Sequence, residues 1–127
     1  MLKEISEILN KIPEENLDKF AQILLDHKES RVWIIGNGGS ASCASHFASD
    51  LASLGFDTIC LTDNASRVTA ITNDFGWEDV YIKQLSHMKP KDILIAISVH
   101  GGSDSWSCNL TKAAAFAKGR GAITLSL

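Results

Sequence analysis

The sequence holds no apolar run of membrane-spanning length, which argues against a helical membrane span. It has no basic run, and a net charge of −3 gives no electrostatic footprint for nucleic acid. Met1-Leu2-Lys3-Glu4-Ile5 is charged and amphipathic and lacks the apolar block of a signal peptide, so a cytoplasmic protein is expected. Cysteine is scarce: Cys43, Cys60 and Cys108 are odd in number and scattered, without metal-ligand spacing or a disulfide framework, and are expected as small buried or half-buried thiols. Proline is scarcer still, and Pro13 and Pro90 each mark the edge of a helix. No repeat or low-complexity segment is present. What remains is 127 residues of ordinary globular composition, 45% hydrophobic and 21% charged, enough for one domain with a real core.

The stretch that organises the rest is Val32 to Leu51. A short apolar run, Val32 to Ile35, leads into Gly36-Asn37-Gly38-Gly39, and small and periodically apolar residues follow. That order predicts buried strand, tight turn and helix. Glycines let the backbone approach a ligand, and the first turn of a helix offers unpaired N–H groups to an anion. Ser40 is expected as the N-cap, with a hydroxyl free to serve the helix or a ligand oxygen. His46 and Asp50 are four apart and project from one face. They fit a base and its orienting partner, or two ligands of one metal ion.

Ahead of this stretch, Leu2, Ile5, Ile8, Leu9 and Ile12, then Leu17, Phe20, Leu24 and Leu25, follow helical spacing. They predict a helical hairpin or bent helix whose stripe packs on the sheet domain or on another copy of the chain; His27 is expected on its solvent side. Behind it, Thr58 to Thr62 predicts a second strand, Ser66 the cap of a short helix, Asn73-Asp74-Phe75-Gly76 a loop, and Trp77 to about His87 a helix. Asp92 to Ser98 reads as a strand buried on both faces. Val99-His100-Gly101-Gly102-Ser103 is a second glycine turn, Asp104 to Lys118 a helix, and Ala122 to Leu127 a further strand. Strand–helix alternation calls for an α/β, three-layer αβα sandwich on a parallel sheet, preceded by N-terminal helices. The sequence stops on an apolar strand, so a longer domain, truncated here at its C-terminus, is expected.

Both glycine turns follow strands, and in an open parallel sheet both lie at the ligand-binding end. Ser40, Ser98 and Ser103 become convergent hydroxyls, with plain helix caps as the alternative for Ser40 and Ser103 and a simple strand end as the alternative for Ser98. His100 stands in the second loop and is expected to donate to a phosphate or sugar oxygen, or to fill a surface gap. Asn73 and Asp74 are expected to hold sugar hydroxyls, unless Asp74 caps the next helix. Trp33, Trp77 and Trp106 read as packing residues and His87 as a surface residue. Gly36-x-Gly38-x-x-Ala41 with Asp63 also fits a dinucleotide-binding Rossmann fingerprint, which leaves the second loop and the His46/Asp50 face unexplained.

Gly36-Asn37-Gly38-Gly39-Ser40-Ala41 with His46-Phe47-Ala48-Ser49-Asp50-Leu51, then Leu61 to Asn64, Thr69 to Gly76 and Asp92 to Ser98, resemble the SIS (sugar isomerase) domain superfamily. Within it, the similarity is to the phosphoheptose (sedoheptulose 7-phosphate) isomerases. The resemblance implies a flavodoxin-like sheet over 30–127 that binds a phosphosugar, with an N-terminal segment, 1–29, for packing or oligomerisation. It implies ketose–aldose isomerisation of sedoheptulose 7-phosphate or a related sugar phosphate through an enediol. The substrate-binding positions implied are Asn37, Gly38, Gly39, Ser40, Asn73, Asp74, Ser98, His100 and Ser103; His46 and Asp50 match positions tied to proton transfer and to one zinc ion. A cytoplasmic homotetramer is implied, with sites shared between subunits. Asp50 stands where the family usually has glutamate, and His100 and Gly102 where it has serine and asparagine. The family's later glutamine and histidine have no counterpart in these residues, so this piece alone is expected to be poorly active. The alternative within the superfamily is a non-catalytic domain that binds a sugar phosphate or a protein partner.

Overall fold

Val32, Ile34, Ile93 and Ile95 pack on one side of a sheet, while Trp33, Ile35 and Leu94 pack on the other. This follows from the period-two alternation of strand side chains, and it explains why both strands are apolar throughout: each must fill two cores. The computed structural model describes residues 2–103 and 105–127. Met1, Asp104 and the side chain of Ile8 lie outside that description, and with them the expected helix start at Asp104 and one position of the first apolar stripe.

The elements are α1 (Leu2–Leu9), α2 (Glu14–Asp26), β1 (Val32–Gly36), α3 (Gly39–Ser53), β2 (Thr58–Cys60), α4 (Ala65–Phe75), β3 (Ile93–Ile97), α5 (Cys108–Gly119) and β4 (Ile123–Ser126). The strands form one parallel sheet in the order β2-β1-β3-β4. Ala44, Ala48 and Leu51 of α3 and Leu24 of α2 close one face; Leu110, Ala113 and Ala117 of α5, with Val80, Tyr81, Leu85 and Met88, close the other. The three layers are as the sequence predicts, and the strand order is the flavodoxin-like one that the resemblance implies. Complete burial of a large aliphatic side chain contributes about 1.5–3 kcal/mol, so these two cores carry the fold.

Several local expectations change. Asn64, not Ser66, caps α4, its side chain accepting from the Arg67 amide at 3.0 Å. Asn73 and Asp74 lie in the last turn of α4 rather than in a loop, because the chain does not break until Gly76, at φ 93°. The expected helix from Trp77 to His87 is two short 3-10 turns, Trp77–Asp79 and Gln84–His87. Val80, Tyr81, Leu85 and Met88 are buried at spacings that resemble a helix, and tertiary burial rather than a helical ladder sets them. His27 caps α2, half-buried, its Nδ1 3.0 Å from the Ile23 carbonyl, rather than lying on the solvent side.

The order β2-β1-β3-β4 decides where a ligand can sit. β1 continues into α3 on one face, and β3 continues into α5 on the other. At that reversal the two loops part and leave a crevice beyond the carboxyl ends of β1 and β3.

Candidate active site

The first wall of the crevice is Gly36 to Ser40. A Cβ on Gly36 would stand 2.7 Å from the Ser40 carbonyl oxygen, so the turn closes only on glycine. Gly38 has φ 56° and ψ −125°, a conformation L side chains rarely adopt, and it is the residue from which α3 starts. Ser40 is therefore the second residue of the helix and not its cap. Gly38 and Gly39 leave exposed backbone at the positive end of a 15-residue helix.

The second wall is Ser98 to Ser103 with Ser105 to Ser107. The Gly101 amide donates to Ser98 Oγ at 3.1 Å, and Gly101 and Gly102 have φ 73° and 83°. Ser103 is bonded twice to Trp106: its amide donates to the Trp106 carbonyl at 2.6 Å, and its Oγ accepts from the Trp106 amide at 3.1 Å. Ser107, in the left-handed region at φ 52°, precedes α5, and its side chain makes no capping bond. That conformation is why α5 begins at Cys108 rather than further upstream.

Side chains from the core lock the walls together. Asn37 Nδ2 donates to Asn109 Oδ1 at 2.9 Å, and Asn109 Nδ2 donates back to Asn37 Oδ1 at 2.9 Å. The Tyr81 hydroxyl lies 2.5 Å from the Gly36 carbonyl oxygen and 3.0 Å from Asn37 Oδ1, so its one proton serves one of them at a time. Burial pushes the Tyr81 hydroxyl well above its ordinary titration range. The Trp77 ring packs against Tyr81 at 6.4 Å between centroids. Lys112 of α5 reaches Asp79 Oδ1 at 3.2 Å and Glu78 Oε1 at 3.3 Å, tying the same 3-10 turn to α5; Asp79 and then Glu78 raise the pKa of that ammonium.

The two loops line one cleft of about 750 Å3, within the size range of small-ligand sites. Asn37, Gly38, Gly39, Ser40, Ser98 and His100 all line it, as expected for a shared anion site. Ser107 lines it too; Ser103 lies in the adjoining hollow with His100, Gly102 and Trp106. Trp33 is buried at 4% as a packing residue; Trp77, 44% exposed, both packs on Tyr81 and lines the cleft, and Trp106, 65% exposed, lines it. Cys43 is exposed and lines the cleft rather than being buried; Cys60 is buried and Cys108 half-buried. Asn73 and Asp74 are exposed at the end of α4, bonded to each other at 2.9 Å, and are not among the cleft-lining residues.

His46 and Asp50 lie further along α3. Nε2 of His46 is 3.6 Å from Oδ2 of Asp50, and their side chains are 83% and 61% exposed. His46 lines a hollow with Thr62 and Asp63 beside the loop cleft, not the cleft itself. Bonds of about 2.0–2.2 Å place neighbouring donors of a tetrahedral zinc ion about 3.4 Å apart, so the pair fits two positions of such an ion. Among the described residues no group of three or more histidine, cysteine or carboxylate side chains is arranged to hold a metal.

Sequence comparison decides the family. The SIS domain family model matches residues 2–127. The chain belongs to the SIS domain family. Among its relatives, this SIS domain is 45% identical over 119 residues to lincomycin biosynthesis protein LmbN of Streptomyces lincolnensis, covering 84% of this chain and 43% of that protein. It is 39% identical over 123 residues to the phosphoheptose isomerase of Helicobacter pylori strain P12, covering 90% of this chain and 62% of that enzyme. The solved phosphoheptose isomerase GmhA of Neisseria gonorrhoeae superposes with a TM-score of 0.86 at 30% identity, over 95% of this chain and 65% of that one. The SIS domain thus spans about two fifths to two thirds of the proteins it matches. Expectation and structure agree on the family, the three-layer fold and the shared cleft.

Proposed function

We propose that this SIS domain binds the phosphate end of a sugar phosphate, and that the protein carrying it interconverts a ketose phosphate, sedoheptulose 7-phosphate or a close analogue, with the aldose. The observation that carries this is the meeting of two glycine loops, from adjacent parallel strands, in one cleft at the start of α3. The relatives named phosphoheptose isomerase favour the same substrate class.

The phosphate is received by the amides around Gly38 and Gly39 and by the hydroxyls of Ser40, Ser98 and Ser107, which hydrogen-bond its oxygens without a positive side chain. His46 lies six residues beyond Ser40, about 9 Å along the helix axis. A seven-carbon chain held by its phosphate reaches that far, which brings its carbonyl end to the His46–Asp50 pair. The Asp50 carboxylate takes a proton from C1 of the ketose, and the electron pair forms the enediol with the former C2 carbonyl. The proton returns to C2, leaving the aldehyde at C1, with His46 orienting the carboxylate or moving the hydroxyl proton. A zinc ion, when bound, would be held by His46 and Asp50 and would supply electrostatic stabilisation of developing negative charge on oxygen. Asn73, Asp74, His100 and Ser103 remain assigned to the sugar hydroxyls. The proposed assembly is a cytoplasmic homotetramer, with the exposed apolar positions Leu2, Ile5, Leu9, Ile12, Leu17 and Leu25 as its packing surface.

One observation favours a second reading, a sugar-phosphate-binding domain without turnover: His46 lies outside the loop cleft. The test is incubation with sedoheptulose 7-phosphate followed by proton NMR. An aldose resonance that requires Asp50 supports the isomerase. Saturable binding without any aldose supports the second reading.

A further inference from the structure

Asn109 is a fully buried polar side chain in the first turn of α5, 72 residues from its partner. Such a residue needs a reason, because burying an amide costs free energy unless its hydrogen bonds are remade. They are remade, and with one residue above all. Asn109 Nδ2 donates to Asn37 Oδ1, and Asn109 Oδ1 accepts from Asn37 Nδ2 and from the Leu110 amide at 3.0 Å. The other acceptor position of Asn37 Oδ1 faces the Tyr81 hydroxyl. The pair is thus closed to outside partners on the edge where the two amides meet.

Two apolar side chains of the same size would fill this space at nearly the same stability, since replacing both partners of a buried hydrogen bond is close to neutral. A reciprocal amide pair adds direction: it fixes the plane of Asn37 and so the peptide that leads into Gly38. Asn37 borders Gly38 and lines the cleft; Asn109 stands two residues after Ser107, which lines it from the other side. We infer that Asn109 is a positioning residue for anion binding: through its paired amide it holds the Gly38–Gly39 turn and the Ser107 end of α5 at the separation a phosphate requires. This rests on the cleft being the phosphate end of the site. The prediction that follows is that losing the pair weakens phosphate binding more than it weakens the fold.

Asn109→Asp tests it, with inorganic phosphate as the probe and calorimetry as the readout, so that no turnover is needed. An ionised carboxylate keeps the acceptor but cannot donate to Asn37 Oδ1, whereas the protonated acid has one donor and one acceptor, the pattern of the amide it replaces. Burial raises the pKa of the introduced carboxyl, so it regains its proton on mild acidification. Relative to wild type at the same pH, Asn109→Asp should bind phosphate about tenfold or more weakly near pH 8 and within about twofold near pH 5.5. Asn109→Leu should be weak at both. A role in packing alone gives no acid rescue, so equal behaviour of the two variants at both pH values overturns the inference, as does wild-type affinity for Asn109→Asp near pH 8. Should Asn109→Asp unfold in alkali, Asn109→Ser serves there: a folded variant with weakened phosphate binding supports the inference, and unchanged binding overturns it. A wild-type chain that does not bind phosphate fails in a different way, overturning the cleft assignment and the inference with it.

Discussion

The hydroxyl of Tyr81 lies 2.5 Å from the carbonyl oxygen of Gly36, joining the segment after α4 to the end of the strand that opens the anion loop. Tyr81 is the only tyrosine in the chain and is wholly buried. Tyr81→Phe keeps the ring and removes the donor from two acceptors. The expected loss is about 1–3 kcal/mol, the cost of leaving a buried polar group without its partner. Urea unfolding of wild type and variant measures it; equal midpoints would show that Gly36 and Asn37 do not depend on that proton.

Alkali acts on the same group. Burial raises the pKa of Cys60 above its ordinary 9.0 and that of Tyr81 above 10.0, so the folded chain keeps both protons where the unfolded chain would release them. The unfolded state then binds fewer protons, and stability falls as pH rises. This contribution is fully present below 9.0, begins to fall as Cys60 of the unfolded chain ionises, and falls faster above 10.0. Lys112, its pKa raised by Asp79 and Glu78, adds in the same direction above 10.5. Melting temperature against pH should bend downward in this window, and Tyr81→Phe should flatten the part above 10.0.

Gly36→Ala places a methyl group 2.7 Å from the Ser40 oxygen and 2.8 Å from the Ser40 carbonyl carbon. Both are backbone atoms in the first turn of α3, so no side-chain rotation relieves the clash. The expected destabilisation is about 1–3 kcal/mol, with phosphate affinity lost in any protein that still folds, because the turn must open to admit the methyl. Thermal unfolding and phosphate calorimetry on the same sample check both. A variant of wild-type stability and affinity would contradict the tight turn.

The fold was legible because each strand had a local signal: Val32 to Ile35 and Asp92 to Ser98 are apolar on both faces, and a glycine turn follows each. The shared cleft was legible too, since parallel strands send their loops to one end. What stayed hidden was tertiary. Nothing near Asn109 in the chain announces Asn37, and nothing at Tyr81 announces Gly36; these bonds span 72 and 45 residues. Apolar spacing from Trp77 to Leu85 mimicked a helix because burial against α5 requires similar spacings. Ser107 has no signal of its own in the sequence, since Ser103 is nearer the glycines, and only the bonds between Ser103 and Trp106 leave Ser107 lining the cleft. Composition likewise could not say that Trp77 and Trp106 face the cleft. The lone tyrosine and an asparagine early in an apolar helix were the available signals.

Asp50 is the group proposed to take the substrate proton. Its side chain is 61% exposed and that of His46 is 83% exposed, so Asp50→Asn should leave the melting temperature nearly unchanged. The decisive measurement is deuterium wash-in from heavy water to C1 of sedoheptulose 7-phosphate, followed by NMR with the protein that carries this domain. Wild type should incorporate deuterium. Asp50→Asn should lose about a hundredfold or more of that rate, the usual scale for removing a general base, while still binding the sugar phosphate. Wash-in by Asp50→Asn at the wild-type rate would contradict the account.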